Sequence, residues 1–370
     1  MSNQLTSTKI AFAFITITHG VGLAACATDS ASNDAPATPS IAATDAPTMA
    51  PAASPASEAA TAPASGEAPA VIGDLQTLQT GFGFTEGPAV DKDGNVFFTD
   101  QPNDKIYKWI AATGEIAVFL ENTGRSNGMA FDKDGYLITC ADMRGEIRKI
   151  APDGTQQVLI DNYQGKRFNG PNDIWISPTT GGIYFSDPIY PRDYWEESDP
   201  RRQGWPPTHS EQAETGKGGH VYYLAPGASE AVRVTTMPDW ESDSWPNGVV
   251  GTPDGSKLYV SMWTEDSRAG TYVFDVNADG TLTNMQDFVQ AGGDGMSMDE
   301  RGNIYISNLF GVEVFDPSGK NVLTIPTDAD GKKGATNNVF AGADERTLFI
   351  TGPSDRVVTV QMNVAGIEKF

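Results

Sequence analysis

Cysteine and histidine are scarce in this chain. Two cysteines occur in 370 residues, Cys26 and Cys140. If Cys26 serves the N-terminal role argued below, Cys140 stands alone and an internal disulfide is excluded. Three histidines are present, His19, His209 and His220, and none belongs to a ligand-spaced motif. That argues against a histidine-built zinc hydrolase centre. Basic residues are also few, with 25 Lys and Arg against 48 Asp and Glu, a net charge of −23. A surface so acidic repels nucleic acid and anionic lipid, which excludes both as direct partners. No stretch sustains the 3.6-residue apolar periodicity of a helix. The longest apolar run, Ile10–Ala25, is short and interrupted by Thr and Gly, so it is a poor membrane span.

What is present is a nine-residue phrase repeated six times with variation. The copies begin at Glu86, Asn127, Asn172, Asn247, Asp294 and Asn338. Each opens with Glu, Asp or Asn, runs through a short apolar stretch into a turn, and is followed by a β-rich run such as Val96-Phe-Phe-Thr99 or Ile304-Tyr-Ile-Ser307. The phrase reads strand, tight turn, strand. Further strand pairs lie between the copies, for example Glu146–Ile150 with Gln157–Ile160. The pattern predicts an all-β, six-bladed propeller of four-stranded blades over residues 71–370. The sixth blade lacks an outer strand, and Asp74–Gln79 is expected to supply it and close the ring. Cys140 ends an apolar strand and reads as a buried, inert thiol.

The N-terminal segment has a different character. Residues 1–25 resemble a signal peptide, and Leu23-Ala24-Ala25-Cys26 resembles the lipobox of bacterial lipoproteins. The expectation is a lipidated Cys26, then an Ala/Pro/Ser/Thr-rich disordered tether over 26–70. This would place the propeller at the bacterial cell envelope, lipid-anchored and facing the periplasm, or secreted. A monomer is the favoured oligomeric state.

The openers are 41, 45, 75, 47 and 44 residues apart. The outlier marks an insertion of about 30 residues around 190–219, between the second and third strands of blade 3. It is rich in Trp, Tyr and Pro, and is expected to wall or cover the channel mouth on the face that carries the openers. Those six oxygen-bearing side chains should converge at one end of the central channel. Hard oxygen donors suit Ca²⁺, with Mg²⁺, Mn²⁺ or Zn²⁺ as alternatives. Two tempting motifs fail on context. Gly124-Arg-Ser-Asn-Gly128 spells a nucleophile elbow but leads into a strand, not a helix. Asp275-Val-Asn-Ala-Asp-Gly280 begins like an EF-hand loop but has Gln286 where the closing Glu should stand.

The segments Glu86-Gly-Pro, Asn169-Gly-Pro-Asn-Asp173, Ser186-Asp-Pro188, Pro246-Asn-Gly248 and Asp294-Gly-Met296, in this order, resemble the gluconolactonase family, which includes regucalcin. The resemblance spans about residues 75–365 and implies a six-bladed propeller that opens sugar lactones with one divalent cation in its channel. It implies Glu86, Asn172, Asn247 and Asp294 as metal ligands. Asn172, Asn127 and Arg167 are implied around the substrate. Asp294 is the first choice of general base and Asp173 the second. Regucalcin-like members carry an arginine two residues before the asparagine matched here by Asn172. Gly170 stands there in this chain, and Arg167 is displaced along the loop. A sugar- or protein-binding propeller without hydrolysis, and a phosphotriester or aryl-ester hydrolase, are the alternative readings.

Overall fold

The computed structural model describes residues 67–190, 219–235, 245–264, 269–327, 334–353 and 355–367. The signal segment, Cys26, most of the tether and the middle of the insertion lie outside the described residues. Six four-stranded antiparallel sheets are arranged as the sequence predicts. Blade 1 runs through Thr85–Val90, Val96–Asp100, Lys105–Trp109 and Ile116–Glu121, and blade 2 through Ser126–Phe131, Leu137–Ala141, Glu146–Ile150 and Gln156–Ile160. Blade 3 comprises Ile174–Ile176, Ile183–Pro188, Gly219–Leu224 and Val232–Arg233, and blade 4 Trp245–Gly251, Lys257–Trp263, Thr271–Val276 and Leu282–Val289. Blade 5 contains Met296–Met298, Ile304–Asn308, Gly311–Phe315 and Asn321–Ile325. Blade 6 is built from Asn338–Ala341, Thr347–Ile350 and Arg356–Gln361, with Gln76–Thr80 as its outermost strand.

That last pairing closes the ring: Gln76 lies opposite Thr359 and Thr80 opposite Arg356. Pairing removes an exposed sheet edge. The closure extends upstream of residue 71. The Ala70 N–H donates to Asn363 Oδ1 at 2.8 Å, and the Asn363 amide donates to the Ala68 carbonyl at 3.0 Å. The propeller's contacts therefore reach into the last residues of the stretch read as tether.

The hairpin turns explain the repeated Asp-Lys-Asp-Gly spelling. In blade 1 the Asp91 carboxylate accepts the N–H groups of Asp93 and Asn95. In blade 2 Asp132 accepts those of Asp134 and Tyr136. Gly94 and Gly135 then take φ of +80° and +81°, a conformation that costs other residues a Cβ clash. The core lies between adjacent blades. Phe98 of blade 1 meets Phe349 of blade 6 at 5.4 Å, and Phe97 meets Phe131 of blade 2 edge-on at 5.1 Å. Cys140 is fully buried in this layer, and burial pushes its thiol pKa well above the ordinary value. The thiol is buried, as expected.

Candidate functional site

The ends of the first strands build the site. In blade 5 the Asp294 N–H donates to the Ser307 carbonyl, and the Ser307 N–H returns to Gly295. Blade 3 repeats this with Asn172, Ser186 and Asp173. Blade 6 repeats it with Thr336, Thr351 and Asn337. Thr336, not Asn338, is therefore the sixth opener. The reason lies in hairpin length. Five residues separate the paired Met298 and Ile304 of blade 5, while seven separate the paired Phe340 and Leu348 of blade 6. A phrase aligned on its turn slips by two residues. Asn338 points between blades instead: it accepts from Ser297 Oγ and donates to Ser307 Oγ at 2.8 Å and the Tyr305 carbonyl at 3.3 Å.

The openers are neighbours around a closed circuit. The Gly128 N–H donates to the Asn172 carbonyl at 2.6 Å, Ser186 Oγ to the Asn247 carbonyl at 2.6 Å, and the Gly295 N–H to the Thr336 carbonyl at 2.7 Å. Thr336 Oγ1 returns to the Thr85 carbonyl at 2.7 Å, beside Glu86. Close approach selects glycine after the openers. A Cβ on Gly128 would lie 2.5 Å from the Asn172 carbonyl oxygen, and one on Gly248 would collide with that of Asp294.

Glu86, Asn127, Asn172 and Asn247 are buried, whereas Asp294 is half-exposed. Glu86 Oε2 accepts the Gly87 N–H at 3.1 Å. Asn127 Oδ1 and Asn247 Oδ1 are buried and make no hydrogen bond. Asn247 is fixed by its other end, since Nδ2 donates to the Tyr190 hydroxyl at 3.0 Å. A buried carbonyl oxygen without a donor is costly unless a ligand satisfies it. Two such oxygens beside Glu86 and Asp294 fit a hard cation. Among the described residues no three His, Cys, Asp or Glu side chains group as a metal cluster. A cation here would take amide oxygens as well as carboxylates.

Two side chains fill the position after the opener, facing each other from blades 3 and 6. Asp173 Oδ1 lies 3.5 Å from Asn337 Nδ2, and its Oδ2 accepts the Val249 N–H at 3.0 Å. Burial pushes the Asp173 carboxyl up to about 7, against the opposing pull of the Val249 and Ile174 N–H groups and Asn337.

The loop before Asn172 is held from below by Asp187, which is fully buried. Its Oδ2 accepts the Asn169 N–H at 3.1 Å and the Asn169 amide at 3.2 Å, and its Oδ1 accepts the Gly170 N–H at 2.9 Å. Burial raises this carboxyl also to about 7, while the Gly170 and Asn169 N–H groups and the Arg167 charge pull it down. Arg167 is 1% exposed, and its guanidinium donates to the carbonyls of Phe168 at 3.1 Å and Asn169 at 3.4 Å. These two bonds hold the guanidinium against its own loop. A Cβ on Gly170 would lie 2.4 Å from Asp142 Oδ1, so a larger residue there requires that carboxylate to move. Just before blade 2, Arg125 Nε lies 3.8 Å from Asp142 Oδ2. Arg125 stands two residues before Asn127, with φ of +55°. Sequence reasoning missed Arg125, Asn337 and Asp187. The Asn337-Asn338 doublet and Ser186-Asp-Pro188 were visible, but not their partners. Ser126 of the elbow-like motif is buried and donates to the Thr123 carbonyl.

The chain is 28% identical over 320 residues to a gluconolactonase of Zymomonas mobilis, covering 79% of this chain and 82% of that protein. It is similar to the structure of a gluconolactonase from Xanthomonas campestris, with TM-score 0.65 and 28% identity over 80% of this chain and 95% of the other. Regucalcin from Agrobacterium tumefaciens, a calcium-binding protein, shares the fold, with TM-score 0.58 and 17% identity over 78% of this chain and 94% of the other. The model of the SMP-30/gluconolactonase/LRE-like region matches residues 84–353, and the chain belongs to that family.

Proposed function

We propose that this protein is a lactonase that opens a gluconolactone-like sugar lactone with a divalent cation at the opener ring. The observation that carries the reading is the pair of unsatisfied buried oxygens, Asn127 Oδ1 and Asn247 Oδ1, beside Glu86 and Asp294 in a chain of this family. Glu86, Asn172, Asn247 and Asp294 would hold the cation, with Ca²⁺ favoured because it accepts mixed, irregular oxygen donors. The chemistry such an ion supplies when bound is Lewis-acid polarisation of the lactone carbonyl. Asn127 and Asn172 orient the substrate's oxygens. Asp294, the opener most open to solvent after Thr336 replaces Asn338 in the ring, takes the proton from the attacking water. The water oxygen bonds the carbonyl carbon, the ring C–O bond breaks, and the proton passes to the departing ring oxygen, giving the open hydroxy acid. Asp173 is better placed to brace blades 3, 4 and 6 than to meet water, since both its oxygens face protein donors.

Gluconolactone hydrolysis with and without EDTA, in wild type, Asp294→Asn and Asp173→Asn, tests the reading. Turnover should vanish with EDTA and in Asp294→Asn. It should persist at a reduced rate in Asp173→Asn, and calorimetric Ca²⁺ titration should fail in Asp294→Asn. Wild-type turnover unaffected by EDTA, or normal Ca²⁺ binding by Asp294→Asn, would refute it.

A further inference from the structure

Three aromatic rings stand together beside the opener ring. Tyr190 follows the second strand of blade 3, while Trp245 and Trp263 lie opposite each other at one end of blade 4. The Trp245 and Trp263 rings are stacked at 6.1 Å and 29°. Tyr190 meets them edge-on at 5.7 and 5.9 Å. All three are half-exposed. Trp109 and Trp175, by contrast, pack into the inter-blade core, and the trio stays outside those clusters. The Trp245 indole N–H makes no hydrogen bond, so its ring is held by packing alone. The trio is joined to the site directly, because the Tyr190 hydroxyl accepts the Asn247 amide whose Oδ1 is unsatisfied.

Resting on the lactonase reading, we infer that these rings form a sugar subsite, and that the substrate is the lactone of a disaccharide acid rather than of a single sugar. The lactone ring sits at the openers, and the second pyranose lies over Tyr190, Trp245 and Trp263. The C–H edges of a pyranose carry partial positive charge and pack on the negative faces of aromatic rings, while its hydroxyls stay in water. An alkyl chain would instead select aliphatic walls, and the described members of this patch are rings only. A half-exposed platform whose described rings are aromatic, next to polar openers, matches a sugar's alternating surface.

Trp263 gives the test because it belongs to the trio while the hydrogen bond to Asn247 is made by Tyr190. Cellobionolactone and gluconolactone are compared as substrates for wild type, Trp263→Ala and Trp263→Phe. Wild type should favour the two-ring lactone. Trp263→Ala should lose about tenfold in kcat/KM on cellobionolactone, through KM, the equivalent of one lost ring contact of about 1.4 kcal/mol. Gluconolactone turnover should be unchanged, and Trp263→Phe should recover most of the loss. Tryptophan emission titrated with cellobionate reads the subsite without turnover. Tight cellobionate binding weakened by Trp263→Ala, with no hydrolysis of either lactone, would keep the subsite and sink the hydrolase. Equal loss on both substrates, no loss on either, or preference for an alkyl-substituted lactone would overturn the sugar subsite.

Discussion

Asp187→Asn separates the electrostatic cost of the loop support from its geometric value. The wild-type carboxylate accepts three N–H donors, two on Oδ2 and one on Oδ1. Asparagine keeps the shape but presents one acceptor and one donor. Oriented with its oxygen toward Asn169, it leaves one buried donor, the Gly170 N–H, facing an NH₂ group. An orphaned buried donor costs about 1–3 kcal/mol. The pH dependence acts in the other direction. The folded Asp187 carboxyl holds its proton up to about 7, against an ordinary value of 3.8. Between those values the folded state binds more protons than the unfolded one, so stability falls as pH rises, then levels off above about 7. One proton corresponds to at most about 1.4 kcal/mol per pH unit. Asp173 contributes a second slope of the same sign. Urea unfolding at several pH values between 4.5 and 7.5 should therefore show a shallower decline in Asp187→Asn than in wild type, by up to roughly 1.4 kcal/mol per unit. Turnover should fall with it, because the segment Asn169–Asn172 loses a tether. Parallel stability curves for the two proteins would show that the carboxyl is already ionised in the fold, and the reasoning would fail.

Two further outcomes are expected. Asn338→Ala should lower stability by about 2–3 kcal/mol in urea unfolding, through lost interblade hydrogen bonds, while leaving Ca²⁺ affinity intact; a loss of Ca²⁺ affinity without a loss of stability would return Asn338 to the ring. Cys26→Ser should move the protein from the membrane to the soluble fraction of a bacterial host, and unchanged fractionation would remove the lipid anchor from the proposal.

The blades were legible because a hairpin writes itself locally. An apolar run, a side-chain oxygen from Asp, Ser or Thr, and a glycine at positive φ mark the turns within ten residues of sequence. Ring closure by Gln76–Thr80 was legible for a different reason: blade 6 was one strand short. The ring positions of the openers were legible where the repeat is regular, at Glu86 through Asp294. They were not legible at Asn338, because two extra hairpin residues are invisible to a phrase aligned on its turn. Arg167 shows a second limit. Its proximity in sequence to Asn172 suggested a substrate contact, but it could not show the bonds that the guanidinium donates to the Phe168 and Asn169 carbonyls. Asp187 and Asn337 were legible as residues and not as roles, since their partners lie 17 and 164 positions away.

The pairing of Gln76–Thr80 with Arg356–Gln361 also sets an order of events. Strands made first must wait for strands made last, with nearly the whole domain between them. Bringing such distant segments together is slow relative to local hairpin formation, since long-range contacts carry the loop-closure entropy before they return any stabilisation. Until that moment Arg356–Gln361 offers an open sheet edge to any neighbouring chain. The final clasp is thus the step at which a nascent copy is most exposed to mispairing, and trimming residues 76–80 would make that exposure permanent.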